Sequence, residues 1–116
     1  MDPDVAKRLF FEGATLLLLD VPRGTEFGID YNSWNVGAKF KGVKMIPPGF
    51  HFMFYSAVSK TGETAPRTGF FHFFERREII VKKWDSDTED MVDVPLSEDD
   101  LESYRNGNVS INLQSR

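Results

Sequence analysis

Two stretches decide the fold: Gly24-Thr-Glu-Phe-Gly-Ile-Asp-Tyr-Asn-Ser-Trp34 and Lys44-Met-Ile-Pro-Pro-Gly-Phe-His-Phe52. Both contain apolar positions typical of strands, and turn residues join them. The Pro47-Pro48 pair fixes φ and lacks N–H donors, so a regular ladder cannot run through it. Gly49 then permits a tight turn into the aromatic run of residues 50–55. The pattern predicts a strand, a long structured loop and a second strand, and it contains no reaction centre.

Length and composition indicate one globular domain. The chain has 116 residues, of which 41% are hydrophobic and eleven are Phe, so it can bury a core without disulfides or metals. The absence of Cys excludes disulfides, thiolate metal sites and a Cys nucleophile, and it fits a reducing compartment. No secretory signal is present, and no apolar run approaches the roughly 20 residues that a membrane helix needs. We expect a soluble intracellular domain.

The net charge of −4 conceals a partition along the chain. Residues 1–84 carry twelve Lys or Arg and nine Asp or Glu, whereas residues 85–102 carry nine acidic residues and no basic one. The acidic segment is typical of a solvated linker, and the alternative is an acidic docking or phospho-switch segment. Ser86 and Ser97 lie in acidic contexts that acid-directed kinases favour, so they are candidate phosphosites.

Most of the chain shows strand patterns with short connections. Asp2 suits an N-cap and Pro3 suits the first helical position, which predicts a short N-terminal helical turn ending at Glu12-Gly13. A turn is expected at Asn32-Ser33. Strands are predicted at residues 14–19, 26–31, 40–46, 50–55, 68–74 and 79–84. The fold class is therefore mainly β, as antiparallel sheets in a sandwich-like arrangement or a small barrel, and a βαβ scheme is disfavoured.

After Trp84 the pattern changes. Residues 85–95 are predicted to be irregular, and Ser97 with Asp100 forms a variant of the capping box before a helix of about 98–105. The dipeptide Asn106-Gly107 is a C-cap signal, and the last residues are predicted to be frayed. The expected organisation is a β-sandwich-like domain at 1–84, an acidic linker at 85–96, and a short helix with a tail at 97–116.

The residues provide little support for an enzyme. His51 and His72 lie on predicted neighbouring strands, but a metal site would need a third ligand such as Glu26 or Asp30, and no spacing marks one. Histidines within or beside an aromatic core are the simpler interpretation. The sequence contains neither a Gly-x-Ser-x-Gly elbow nor a phosphate-binding glycine motif, and paired carboxylates leave no local motif. We predict no catalytic residue, no metal and no cofactor.

The aromatic strands favour a binding module. The segment Arg67-Thr-Gly-Phe-Phe-His-Phe-Phe74 faintly resembles strands whose exposed rings stack on RNA bases, so a single-stranded RNA-binding β domain is the alternative function. The small basic excess of residues 1–84 is a weak electrostatic footprint for RNA. If strands 50–55 and 70–74 are apolar on both faces, one face needs a helix, a missing domain or a partner protein as cover.

Three blocks resemble the N-terminal domain of the cistron-splicing factor family, the assembly factors of the U5 small nuclear ribonucleoprotein. They are Lys7-Arg-Leu-Phe-Phe-Glu-Gly-Ala-Thr15, the block Gly24–Trp34, and Phe40-Lys-Gly-Val-Lys-Met-Ile-Pro-Pro-Gly49. The resemblance covers residues 2–58 strongly, and Gly69-Phe-Phe with the strand of Trp84 more loosely. It implies a β-sandwich-like domain that the family follows with a helical C-terminal domain, which we expect to be absent here.

The resemblance also implies a function. Family members are non-enzymatic: they hold the largest U5 splicing protein through its RNase-H-like and Jab/MPN domains, and they delay the joining of the RNA helicase. A location in nucleus and cytoplasm is expected, with no membrane and no direct RNA binding. If this domain contacts the partner, we expect the residues of the conspicuous loop and its neighbours to do so: Tyr31, Trp34, Lys44 and His51. The alternative is that Tyr31 and Trp34 are core anchors.

Overall fold

The described residues form two β-sheets and two helices. The computed structural model describes residues 2–37, 42–58, 63, 65–105 and 113–115. The helices are α1 (Pro3–Glu12) and α2 (Glu98–Arg105). The strands are β1 (Ala14–Leu19), β2 (Glu26–Ile29), β3 (Asn32–Asn35), β4 (Gly42–Ile46), β5 (Gly49–Ser56), β6 (Thr68–Phe74), β7 (Ile79–Asp85), β8 (Asp90–Asp93) and β9 (Leu113–Ser115). The prediction of a mainly β, sandwich-like fold with a helix near each end is confirmed.

The two sheets differ in strand direction. The four-stranded sheet has the order β3-β2-β5-β6 and is antiparallel throughout, as predicted. The five-stranded sheet has the order β8-β7-β1-β4-β9, and in it β1 runs parallel to β7 and β4 parallel to β9. Long connections allow a parallel partner to return beside β1, and local sequence patterns do not encode that choice.

The core lies between the sheets. Alternation along each strand sends one set of side chains inward, where both sheets contribute to a single buried cluster. Its members are Ala14, Leu16, Leu18, Phe27, Ile29, Val36, Val43, Ile46, Met53, Tyr55 and Phe74. Large apolar side chains of this kind contribute about 1.5–3 kcal/mol each when fully buried, so this cluster holds the sheets together.

Both helix starts follow the predicted capping. The Asp2 carboxylate accepts hydrogen bonds from the backbone N–H groups of Asp4 and Val5, and Pro3 is the first helical residue. At α2, Ser97 Oγ accepts from the Asp100 N–H at 3.1 Å, and the Asp100 carboxylate accepts from the Ser97 N–H at 3.3 Å. The predicted C-cap at Asn106-Gly107 lies outside the described residues.

The first hairpin turns earlier than predicted. The turn expected at Asn32-Ser33 is wrong, because β2 ends at Ile29 and a two-residue loop of Asp30 and Tyr31 leads into β3. Asp30 adopts a left-handed backbone with φ 53°, which Asp tolerates better than most residues. Asn32 and Ser33 are exposed, but they pair with β2 as part of β3 and do not form the turn.

The acidic segment and the tail are more regular than predicted. The expectation of irregular structure at residues 85–95 is wrong, because β8 pairs antiparallel with β7. Lys82 Nζ meets Asp93 Oδ1 at 2.6 Å, and the Tyr55 hydroxyl donates to Asp90, so two of the acids are paired. The expectation of a frayed tail is wrong for residues 113–115, which form β9 beside β4. The domain limits at 84 and 96 stay a prediction.

Candidate functional site

The outer face of the four-stranded sheet carries five phenylalanines, of which four are exposed and Phe54 is half-buried. Cross-strand pairing places Phe50 opposite Phe73, Phe52 opposite Phe71, and Phe54 opposite Gly69. These residues alternate with the buried set of β5 and β6, so they point away from the core. We call this set the phenylalanine face: Phe50, Phe52, Phe54, Phe71 and Phe73. Phe50 is 73% exposed and Phe71 is 72% exposed, so the face is open to solvent.

The rings of this face contact one another. The ring centroids of Phe50 and Phe73 lie 5.0 Å apart, and those of Phe52 and Phe71 lie 4.9 Å apart. Phe52 also stacks on Phe54, with centroids 6.3 Å apart. These distances are typical of favourable aromatic pairs. The rings therefore form two contacting groups, Phe50 with Phe73 and Phe52 with Phe54 and Phe71, on the same side of the sheet. Exposed apolar groups gathered on one face are a recognised mark of an interaction site.

Two glycines allow rings to lie flat on the sheet. A Cβ atom at Gly28 would stand 2.1 Å from the Phe54 ring, and one at Gly69 would stand 2.3 Å from the Phe52 ring. Any other residue at these positions would lift the ring above it. Gly28 and Gly69 therefore let the Phe54 and Phe52 rings lie directly against the backbone of the neighbouring strand.

The charges at the face are nearly balanced. The Arg67 guanidinium lies 4.9 Å from the Phe54 ring centroid, and its Nη2 lies 3.0 Å from Glu26 Oε1. Among the paired strand residues on this side of the sheet, Glu26 is the one charged residue. A face of this composition fits an apolar protein surface better than a phosphate backbone.

A buried histidine holds the neighbouring loops together. His51 Nδ1 lies 2.6 Å from Asp30 Oδ2, and its Nε2 lies 2.6 Å from the Pro47 carbonyl oxygen. We call these three residues the histidine clamp. A carbonyl oxygen only accepts hydrogen bonds, so Nε2 carries a proton. The clamp joins the β2–β3 hairpin to the Pro47-Pro48 corner, which were the two stretches that decided the fold.

Asp30 also links the clamp to the phenylalanine face. Its Oδ1 accepts a hydrogen bond from the Phe52 N–H at 3.1 Å, and its own N–H donates to the Phe52 carbonyl at 2.8 Å. The hairpin tip is thus fixed next to Phe52. Because His51 is only 8% exposed and bonded at both nitrogens, its visible role is to position these loops.

The four predicted partner-binding residues occupy different environments. Tyr31 is fully exposed at the hairpin tip, so its interpretation as a core anchor is wrong. Trp34 is half-buried and packs against the core cluster, as a core anchor would. Lys44 is half-buried on β4 in the other sheet, and His51 is buried in the clamp. Partner binding by these residues stays a prediction.

The phenylalanines themselves were not among the predicted site residues. Their signal was present, since the even positions of 50–54 and the odd positions of 71–73 are all Phe. What was missing was the choice of face, because both alternating sets of β5 and β6 contain aromatic residues. Only the position of the second sheet decides which set is covered.

The second histidine is also structural. His72 lies opposite His51 in the strand pairing, as predicted for neighbouring strands, and its Nε2 lies 3.1 Å from Glu78 Oε1. Its ring meets the edge of Phe74, with centroids 4.7 Å apart. Within the described ranges, no three His, Asp or Glu side chains are grouped so that they could hold a metal ion. In the same part of the chain, no helix is long and apolar enough to cross a membrane.

The two candidate phosphosites differ in their roles. Ser86 lies exposed in the turn between β7 and β8. Ser97 is exposed too, but its hydroxyl caps α2. Phosphorylation of either residue stays a prediction.

Comparison with known proteins identifies relatives over most of the chain. Residues 12–116 match the family model of the AAR2 N-terminal domain. The Protein AAR2 homologs of Mus musculus and Homo sapiens are 53% and 54% identical over 107 residues, which cover 90% of this chain and 28% of each relative. The homolog of Caenorhabditis elegans is 46% identical over 101 residues, covering 87% of this chain and 27% of the relative. This chain thus spans little more than a quarter of the length of these curated relatives. The chain therefore belongs to the AAR2 family, the cistron-splicing factor family that its sequence resembles, and it carries that family's N-terminal domain.

Proposed function

We propose that this chain acts in pre-mRNA splicing as part of a non-enzymatic assembly chaperone of the U5 small nuclear ribonucleoprotein. Its partner in this proposal is the largest core protein of that particle, bound through its RNase-H-like and Jab/MPN domains. No cofactor is needed, and the protein works in nucleus and cytoplasm. Membership in the AAR2 family supports a role in splicing. The particle and the partner are proposed from what the resemblance to that family implies. The exposed phenylalanine face is the observation that supports protein–protein contact by this domain.

The face has the composition of an interface centre. Aromatic residues are enriched where interfaces are most deeply buried, and charged residues are depleted there. Phe50, Phe52, Phe71 and Phe73 present large rings, and the nearby Arg67 and Glu26 neutralise each other. A partner that covers these rings gains the burial free energy that folding leaves unused.

The histidine clamp supports the same role by fixing the loop beside the face. An exposed aromatic on a mobile loop loses conformational entropy when it binds, and a fixed loop avoids part of that cost. Tyr31 projects from a hairpin whose preceding residue, Asp30, is bonded to both His51 and Phe52. We therefore include Tyr31 in the proposed contact surface.

Calorimetric titration of this chain with the isolated RNase-H-like domain of the U5 core protein tests the proposal. We expect micromolar or tighter binding, and a loss of about tenfold or more for Phe71→Ala, since central aromatic residues carry much of the binding free energy. Phe10→Ala is the matched control, because Phe10 is 67% exposed but lies on α1. Alanine substitutions at Tyr31, Trp34 and Lys44 then show whether these residues also belong to the contact surface. If the titration shows no heat and the two proteins do not co-elute, the proposal is wrong for this domain.

Direct binding of single-stranded RNA is the second candidate function. The observation that favours it is the set of exposed rings on a four-stranded sheet, on which bases could stack. Fluorescence anisotropy with a labelled oligouridine separates the two candidates. An RNA site would bind at low salt and weaken steeply as salt rises, whereas the neutral face described above predicts no binding at either salt concentration.

Regulation by phosphorylation is a smaller part of the proposal. Phosphate at Ser86 would add negative charge to an exposed turn that is already acidic. Phosphate at Ser97 would replace the hydroxyl that caps α2. Mass spectrometry of the protein from cells checks both sites, and finding neither serine modified would remove this part.

A further inference from the structure

Strand β6 has an open edge. Within the described residues, β6 pairs with β5 on one side and with no strand on the other. Its seven residues, Thr68–Phe74, follow a continuous antiparallel register without a bulge. An edge of this kind presents unpaired backbone donors and acceptors to solvent, and it can accept another strand.

The orientation of the free backbone groups follows from the pairing of β5. The N–H and C=O of Phe52 both point toward Asp30 of the β2–β3 hairpin, so its odd-numbered neighbours in β5 point toward β6. His51 pairs with His72 and Met53 with Phe70, which directs the backbone groups of those β6 residues inward. The backbone groups of Gly69, Phe71 and Phe73 therefore face the open edge.

The same residues also belong to the outer side of the sheet. Phe71 and Phe73 place their side chains on the phenylalanine face and their backbone groups on the open edge. A residue that pairs directly with Phe71 or Phe73 would have its side chain on that face as well. An added strand would thus contact the rings and the backbone together.

Among the described strands the other edges are β3, β8 and β9, and each is short, whereas β6 is not; β9 has only three residues. Edge strand β3 has four residues with Asn32, Ser33 and Asn35 among them, and edge strand β8 has four residues with an Asp at each end. Short length and charge are the usual ways in which proteins block unwanted strand pairing. Strand β6 is longer, and it contains no Asp, Glu, Lys, Arg or Pro.

We infer that the open edge of β6 binds an extended segment of a partner protein, which adds to the four-stranded sheet as a fifth strand. The segment carries apolar side chains at two alternate positions, i and i+2, opposite Phe71 and Phe73. An acidic side chain at one end lies near Arg67, whose side chain is 66% exposed although it already pairs with Glu26. The inference rests on the proposed protein-contact function of the phenylalanine face and specifies its binding mode.

A partner segment fits better than a second copy of this chain. Pairing of two β6 strands would place the two phenylalanine faces side by side and leave Phe50 and Phe52 uncovered. Stable interfaces bury about 1,200–2,000 Å² in total, which one seven-residue strand pair does not approach. A segment of another protein can continue from the strand across the rings.

The test uses the whole chain and a display library of short random peptides, from which those that bind the chain are selected. We expect the selected peptides to share apolar residues at i and i+2 and an acidic residue toward one end. Amide hydrogen exchange then locates the bound peptide. In the free chain the amides of Gly69, Phe71 and Phe73 exchange fast while those of Phe70 and His72 are protected, and peptide binding slows the first three.

Two substitutions at one position separate backbone from side chain. Phe71→Ala removes the ring and keeps the N–H, whereas Phe71→Pro removes both, and the lost N–H has no partner in the ladder. We expect the proline variant to bind the selected peptide about tenfold more weakly than the alanine variant, as loss of a strand hydrogen bond implies. Thermal unfolding of both variants checks that the fold is kept. If the proline variant does not fold, the exchange measurement on the unsubstituted chain still tests the inference.

Several results would overturn the inference. They are selected peptides with helical i, i+3 or i+4 spacing, no selected peptides at all, equal affinities of the two variants, or unchanged exchange at the three edge amides. Sedimentation that shows a dimer of this chain abolished by Phe71→Pro would assign the edge to a second copy instead. If the U5 domain binds without slowing the edge amides, the binding mode is wrong and the proposed function stands. If the U5 domain fails to bind while peptides protect the edge, the binding mode stands and the proposed U5 function is wrong.

Discussion

Phe73 and Phe74 are neighbours in β6, yet Phe73 is 48% exposed and Phe74 is completely buried. The two faces of the four-stranded sheet differ in the same way along β5 and β6. On the inner face, aromatic residues pack against the other sheet and both histidines are hydrogen-bonded. On the outer face, phenylalanine rings contact mainly one another. Phenylalanine therefore serves two purposes in this sheet: the inner residues stabilise the fold, and the outer residues are available for binding.

Truncation of Phe73 and of Phe74 should have very different effects on stability. Phe74→Ala leaves a cavity in the core and should lower the free energy of unfolding by about 3–5 kcal/mol. Phe73→Ala removes a half-exposed ring and should cost less than about 1 kcal/mol. Urea unfolding of both variants measures the difference. Equal losses would mean that the outer rings stabilise the fold as much as the core does.

The two histidines give a second matched pair, since they face each other on the inner side. His51→Ala leaves the Asp30 carboxylate and the Pro47 carbonyl without their common partner, so we expect a loss of about 2–3 kcal/mol. His72→Ala breaks one bond, to Glu78, from a side chain that is 36% exposed, and should cost under about 1 kcal/mol. The same denaturation assay checks both. A larger loss at His72 would contradict the role given to the clamp.

The close approach of the Phe54 ring to the backbone can be tested at Gly28. A Cβ at this site meets the Phe54 ring, so Gly28→Ala should cost about 1–2 kcal/mol through overpacking. In a Phe54→Ala background the same substitution meets no ring and should cost much less. A double-mutant cycle measures the coupling of the two positions. Additive effects would show that Phe54 does not press on Gly28.

The smallest effect is expected at the rim of the outer face. Arg67→Ala removes an exposed ion pair with Glu26 and a cation–π contact with Phe54, which together contribute about 1 kcal/mol or less. Because salt screens exposed charges, the ionic part of this loss should shrink in concentrated salt. Unfolding at low and high salt provides the measurement. A loss comparable to that of Phe74→Ala would mean that Arg67 stabilises the fold as much as a core residue does.

Local patterns predicted the parts of the structure that local interactions control. The caps at Asp2 and Ser97 were readable because each cap bonds residues two or three positions away. The alternation of Phe residues predicted β5 and β6 and a face that needs a cover. The resemblance to the family's N-terminal domain was readable from the block Gly24–Trp34 and the proline corner.

Contacts between distant residues decided the rest. The turn at Asp30 depends on bonds to His51 and Phe52, more than twenty positions away, so its local sequence favoured Asn32-Ser33 instead. Strand β8 formed within an acidic segment because Lys82 and Tyr55 pair with two of its acids. From the sequence, Asp30 was a candidate third metal ligand beside the histidines, whereas in the structure Asp30 and His51 bond each other directly.

The parallel pairing of β1 with β7 has a consequence for synthesis of the protein. Thr15 pairs with Ile79, so the strand made first waits for one made much later. At translation rates of about 5–20 residues per second, β1 spends roughly 3 to 13 s without that neighbour. During this interval β4 can pair with one edge of β1, but the edge that β7 later covers has no partner. That edge belongs to a run of four consecutive leucines, and unpaired apolar strands are prone to aggregate. Nascent chains of this domain should therefore need protection by the ribosome or a chaperone until β7 has emerged.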